Sequence, residues 1–196
     1  MAIASNLAAL ARRILSDGSL PASAVAGALP TGAIQQFTQT TAPTGWVRMD
    51  GSIGNASSGA TRRANADTAA LFAVLWDNVA QADATVQDSA GSTVSRGASA
   101  AADFAANRRI VIPDMRGEFS RGLDNGRGID GSRANGSAQA QAIQAHTHTY
   151  NDAMNGTGSG NVTSGGTQGT TASISGSAGG TETRPRNVAW TYFVKL

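Results

Sequence analysis

The chain has 196 residues, 24 of them glycine and none cysteine, with 40% apolar and 14% charged residues and a formal net charge of +2. That length suits one ordinary domain with extensions, or two small ones. The composition excludes a disulfide framework and a highly charged disordered chain; with no apolar run of about 18 residues, it also excludes a membrane-spanning protein. Lys195 is the only lysine, and the arginines are spread along the chain in pairs such as Arg12-Arg13, Arg62-Arg63 and Arg108-Arg109. A nucleic-acid binder masses its positive charge and interleaves aromatics, so no nucleic-acid partner is expected. Residues 1–20 hold no long apolar stretch and are broken by Arg12-Arg13, which argues against a secretory signal. The chain is expected to stay in the cytoplasm of the cell that makes it, or to leave by lysis.

Residues 2–15 read as a helix in which Ile3, Leu7, Leu10 and Ile14 follow the spacing of a coiled-coil seam, with Asp17-Gly18 as its stop. So short a seam is unstable alone, so segment 1–20 is expected to join partner helices or dock on a larger body. Residues 21–30 are rich in Ala, Gly and Pro and read as a linker. A new unit begins at Thr31. Ala33 to Gln39 reads as a short strand, Pro43-Thr44-Gly45 as a turn, and Trp46 to Met49 as a second strand closed by Asp50-Gly51. Residues 52–65 read as loop. Asp67 is expected to cap a helix presenting Leu71, Phe72, Leu75, Trp76 and Val79 on one face, the strongest amphipathic pattern in the chain. Residues 81–107 read as a long loop or a decorated hairpin. Arg109 to Pro113 reads as an apolar strand, followed by the string Asp114 to Gly122, in which two Arg-Gly pairs flank Phe119. Those arginines suit carboxylates or carbonyls across a subunit contact. The chain is then turn-rich as far as Gly136.

His146 and His148 are the only histidines. In an extended segment, residues two apart point to one face with Cα atoms about 6.5–7 Å apart. Two imidazoles alone make a weak metal site, and no cysteine or third histidine exists to complete it. Three copies of the chain around a threefold axis bring six imidazoles together, a donor set for an octahedral ion such as Fe(II) rather than zinc. Residues 151–180 are low-complexity Gly, Ser, Thr and Asn with one charge, Asp152. A segment of that kind buries too little apolar surface to order as a monomer, so it is expected to be a flexible loop or to intertwine with its copies. The tail places Val188, Trp190, Tyr192 and Val194 on one face and Ala189, Thr191 and Phe193 on the other, a closing strand expected to be buried on both sides.

No catalytic motif stands in a working context. Gly126-Arg127-Gly128-Ile129-Asp130-Gly131 matches G-x-G-x-x-G, but no apolar strand precedes it and no amphipathic helix follows. There is no G-x-S-x-G elbow. Asp114 and Glu118 are candidates for a glycosidase acid pair, yet their Arg-Gly setting favours structural ion pairs.

Five strings in order carry a likeness: Pro43-x-Gly45-Trp46 with Asp50-Gly51; Leu71-Phe72; Ile112-Pro113-Asp114-Met115-Arg116-Gly117-x-Phe119-x-Arg121-Gly122; Ala145-His146-x-His148; and Glu182-Thr183-Arg184-Pro185-Arg186-Asn187-Val188. Together they resemble the phage tail collar domain family, found in tail fibres and short tail fibres of tailed bacteriophages. The resemblance spans roughly residues 31–150 and 181–196. It departs from the family at Ala145, where proline is common, and residues 52–66 and 81–107 match no motif. The resemblance implies an α+β fold, mainly β and loop, in an intertwined homotrimer. Its parts are an N-terminal helix (1–20), a linker (21–30), a collar-like domain (31–150), a Gly/Ser/Thr-rich tip (151–180) and a closing strand (181–196) returning to the collar. The expected function is a structural virion protein, a tail fibre held on the baseplate or a preceding fibre by the N-terminal helix and contacting host polysaccharide or an outer-membrane receptor. The expected cofactor is one Fe(II) or other octahedral divalent ion per trimer, on His146 and His148. No enzymatic activity is expected. The alternatives are a purely structural collar component holding another fibre and, further off, a polysaccharide depolymerase.

Overall fold

The computed structural model describes residues 29–143, 145 and 184–196. The expected N-terminal helix, the histidine pair and the 151–180 segment lie outside the described residues. Of the described residues, 29–138 and 188–196 belong to one compact unit and the remainder to a second. Those of the second are exposed and carry no helix or strand. Among the described residues no helix is long and apolar enough to cross a membrane.

The larger unit is built on two small sheets. Strands β1 (Ile34–Phe37) and β2 (Trp46–Arg48) flank β7 (Thr191–Lys195) in the order β1-β7-β2. Both pairs are antiparallel, with Ile34 opposite Val194 on one side and Val47 opposite Val194 on the other. The first strand pair is therefore joined through the last strand of the chain. The turn between β1 and β2 closes with the Trp46 N–H donating to Pro43 O at 3.0 Å, and Gly45 takes φ +79°, the left-handed value the third residue of a type II turn requires. The second sheet has the order β4-β3-β6-β5, with β3 Ser52–Gly54, β4 Arg63–Ala64, β5 Val86–Gln87 and β6 Arg109–Val111.

Helix α1 (Ala69–Asn78) buries Leu71, Phe72 and Leu75 among Val47, Met49, Ile53, Val86, Ile110, Ile112 and Val194. This core takes residues from both sheets and from the expected apolar helix face. On β7, Val194 points into that core, so Phe193 points to the opposite face. There Phe193 packs edge-on against Phe37 at 5.3 Å between centroids, and Phe37 packs against Trp46 at 5.0 Å.

Four expectations change. Asp67 does not cap α1. Asn65 caps a 3-10 turn (Ala66–Thr68) leading into the helix, its side chain accepting the Asp67 N–H at 3.0 Å, while Asp67 itself pairs with Arg63. Residues 52–65 are not all loop: they hold β3 and β4, and β3 is fully buried, with the single large apolar residue Ile53 between Ser52 and Gly54 giving no apolar alternation to read. Residues 81–107 hold β5 and a second helix, α2 (Ala100–Ala105), capped by Ser99 Oγ accepting the Ala102 N–H at 3.1 Å. Finally, the closing strand covers only Thr191–Lys195: Phe193 and Val194 are buried, but Val188 is 72% exposed and Trp190 is 49% exposed.

The loops around α2 are pinned by Asp103, which is 2% exposed. Its carboxylate accepts from Trp76 Nε1 at 2.9 Å, from Arg108 Nη1 at 2.6 Å and from the Gly97 N–H at 3.0 Å. Arg96 lies over the Trp76 ring at 5.4 Å and donates to Trp76 O and Ala84 O. A buried carboxylate persists only when its lone pairs are met in this way.

Candidate functional site

Three segments distant in sequence are drawn together by backbone hydrogen bonds. The Met49 N–H donates to Tyr192 O at 3.1 Å, the Met115 N–H to Met49 O at 3.0 Å, and the Ile112 N–H to Gly51 O at 2.8 Å. They fix the end of β2, the turn after β6 and the entry to β7 around one cleft of about 400 Å³, lined by Arg48, Asp50, Arg62, Arg116, Trp190 and Tyr192 among others.

Asp50 sits in its wall with its side chain 3% exposed. Arg48 Nε stands 2.7 Å from Oδ2, and Arg62 contacts both oxygens, with Nη2 donating to Oδ2 at 2.7 Å. Arg48 Nε and Asp50 Oδ1 have no aligned hydrogen bond despite these close ionic contacts, so Coulomb attraction rather than directional bonding holds them there. Arg116 is clasped by Asp114, through Nε at 2.9 Å and Nη2 at 2.5 Å. That contact holds the Asp114 carboxyl below the usual carboxylate range and raises the Arg116 guanidinium, with Arg62 and Asp50 adding weaker pulls on the two groups respectively. The cluster therefore holds three guanidinium groups against two carboxylates. Tyr192 closes one edge, its hydroxyl accepting from Gln36 Nε2 at 2.5 Å.

Of the residues singled out from sequence, His146 and His148 lie outside the described residues. Among the described residues no group of three or more His, Asp or Glu side chains could hold a metal. The Arg-Gly string turns its two arginines to carboxylates within the chain: Arg116 to Asp114 and Arg121 to Asp130, the latter at 3.1 Å. Asp114 is thus committed to Arg116. The Gly126–Gly131 loop does gather backbone N–H groups, as an anion cradle should. It gathers them on its own Asp124, which accepts from Gly128 at 2.9 Å, Ile129 at 2.7 Å and Asp130 at 3.0 Å. Those N–H groups hold the Asp124 carboxyl below its ordinary range and leave the cradle filled. Asp50 and Trp190 escaped the sequence reading as site residues, the first taken as a turn residue and the second as one face of a strand. The available signal was Arg48 and Asp50 two apart at the strand exit, a spacing that puts both side chains on one face.

No family model matches the chain, and no solved structure does. It is 30% identical over 121 residues to the protein StfE of Escherichia coli (strain K12), whose name assigns it no activity. That alignment takes in 62% of this chain and 45% of StfE, so the matched segment spans less than half of that relative's length.

Proposed function

We propose that the chain is a homotrimeric tail-fibre protein of the collar type, carried on a phage tail or baseplate and contacting the host cell surface. The observation that carries this reading is spatial. Two of the strings resembling the phage tail collar family, the one from Pro43 to Gly51 and the one from Ile112 to Gly122, are far apart in sequence yet joined by backbone hydrogen bonds, and the first also bonds to the closing strand, around one cleft. Gly45 O accepts the Leu196 N–H at 2.9 Å and Lys195 Nζ at 3.1 Å, so the first turn and the last residues close on each other. The insertion of the last strand between the first two fits a chain that leaves the collar, forms a tip and returns. The exposed Ile34, Phe119, Leu123, Ile129 and Val188 give the single chain apolar surface to cover with its own copies.

In this reading the N-terminal segment 1–20 docks on the baseplate or a preceding fibre. Residues 151–180 reach host polysaccharide or an outer-membrane receptor through many weak contacts, made effective by avidity across three copies and several fibres. His146 and His148 staple the trimer through one octahedral divalent ion, since six imidazole nitrogens suit Fe(II) and its neighbours. No catalytic role is assigned. Deleting 151–180 tests the reading: particles that assemble but fail to adsorb are expected, whereas normal adsorption leaves only a structural collar role. Shortened glycan chains after incubation with purified protein would instead point to a depolymerase.

A further inference from the structure

We propose that the cleft walled by Arg62, Arg116 and Trp190 is a binding site for an acidic sugar, a pyranose carrying a carboxylate. Three observations converge on that ligand. First, the cleft holds one more guanidinium than it holds carboxylates, with Arg48, Arg62 and Arg116 against Asp50 and Asp114. Second, Arg62 and Arg116 each keep a donor in reserve. Arg62 uses Nε and Nη2 on Asp50, Arg116 uses Nε and Nη2 on Asp114, and the Nη1 atoms of both have no partner among the described residues. Each of these Nη1 groups can still donate a charge-assisted hydrogen bond to a ligand carboxylate. Third, the Trp190 indole, half exposed, lines the same cleft. A bare anion has no use for an aromatic wall, but a pyranose presents an apolar face of C–H groups to one and its hydroxyls to the polar side.

Size and charge narrow the choice further. About 400 Å³ falls within the range of small-molecule sites and is more than a single ion needs. A surplus of one positive charge matches one acidic group; a nucleic-acid backbone requires a row of cations. Gly117, at φ +76° with nothing within 4 Å of where a Cβ would sit, leaves the rim beside Arg116 open. This site is separate from attachment through 151–180: particles can adsorb normally with the cleft empty, and the cleft can bind sugar in a protein that never adsorbs.

The test is titration of the full-length protein, in its assembled state, with a glucuronate-containing tetrasaccharide, a neutral glucose tetrasaccharide and inorganic phosphate, read by calorimetry and by tryptophan fluorescence. Saturable binding of the glucuronate ligand is expected, with the neutral one at least tenfold weaker. Arg116→Gln and Trp190→Ala should each weaken the glucuronate ligand about tenfold, with thermal unfolding still cooperative and its midpoint lowered only slightly. Among the described residues the Arg116 side chain is hydrogen-bonded to Asp114 alone, so its variant keeps the test open if the tryptophan variant fails to fold. Equal affinity for the neutral sugar overturns the proposal. So does phosphate binding as tightly as glucuronate with Trp190→Ala without effect, which describes a simple anion site. A Trp190 indole that acrylamide cannot quench in the assembled protein also overturns it, since a second copy then covers the cleft.

Discussion

Asp103 shows what a single residue can be asked to hold. It is an acid within a buried corner, and the three donors it receives come from α1, from the loop before α2 and from the chain entering β6. Asp103→Ala strands the Trp76 N–H and a guanidinium that is only partly solvated. Chemical unfolding should register a loss of about 3 kcal/mol; a loss under about 1 kcal/mol would mean the corner relaxes around water. Gly45 is held to a positive φ by its turn, and a Cβ there would come 2.8 Å from Lys195 Nζ. The lysine tip can swing away, so the cost of Gly45→Ala is mainly the backbone, about 1–2 kcal/mol. The exposed acids give the pH dependence. Asp67 is lowered by its hydrogen bond from Arg63, Asp114 by Arg116, and Asp124 by three backbone N–H groups. Groups with depressed folded-state values stabilise above the unfolded carboxyl value of about 3.9 and lose that contribution as pH falls through their lower folded values. The thermal midpoint should therefore be level down to about pH 5 and decline below about pH 4, and raising salt should shrink the decline because these pairs are solvent-exposed.

Among the elements, β7 decides whether the first sheet exists. It is the central strand, and β1 and β2 have no contact in register without it. Phe193 is fully buried, with the edge-on Phe37 against it. Phe193→Ala should cost about 3–5 kcal/mol in chemical unfolding, as for other fully buried aromatics. Trp190→Ala, just outside the strand and half exposed, should cost far less. If the two variants prove equally destabilising, Trp190 is buried in the assembled state. α1 was legible because five apolar residues repeat on one helical face, and burial of that face follows directly from the pattern. The expected cap, Asp67, falls inside the 3-10 turn that Asn65 caps, one residue before Thr68 at the head of α1: Asn65 and Asp67 are both good caps, and only the 3-10 turn selects between them. α2 was illegible: an Ala-rich run with Phe104 has no periodicity, and what stabilises it is the Ser99 cap, the Asp103 network and Phe104 packing on Phe72 at 5.4 Å.

At the scale of the whole molecule, the exposed apolar side chains and the histidine pair lead to the same expectation. Light scattering should give a mass of three chains, and elemental analysis about one transition metal per three chains. Replacing His146 and His148 together by alanine should remove the metal and lower the temperature at which the trimer dissociates. A metal-free trimer of unchanged stability would remove the stapling role and leave the trimer itself standing.

The sequence by itself determined the segments with strong local signals: the apolar face of α1, the strands at Ile34–Phe37 and Trp46–Arg48, the apolar strand before Pro113, and an apolar end to the chain. Periodicity and turn chemistry act over a few residues, so a few residues suffice to read them. Only the tertiary structure decided that the last strand enters between the first two, that Ser52–Gly54 is buried, and that the Gly126–Gly131 loop closes on its own Asp124. Strand order, the burial of small residues and the partner of a charge depend on what the fold brings alongside from far away in the chain. The Arg48–Asp50–Arg62–Arg116 cluster is the clearest instance: four charged residues, read separately as turn, pair and string members, become one charged cleft once Met49 bonds to both Tyr192 and Met115.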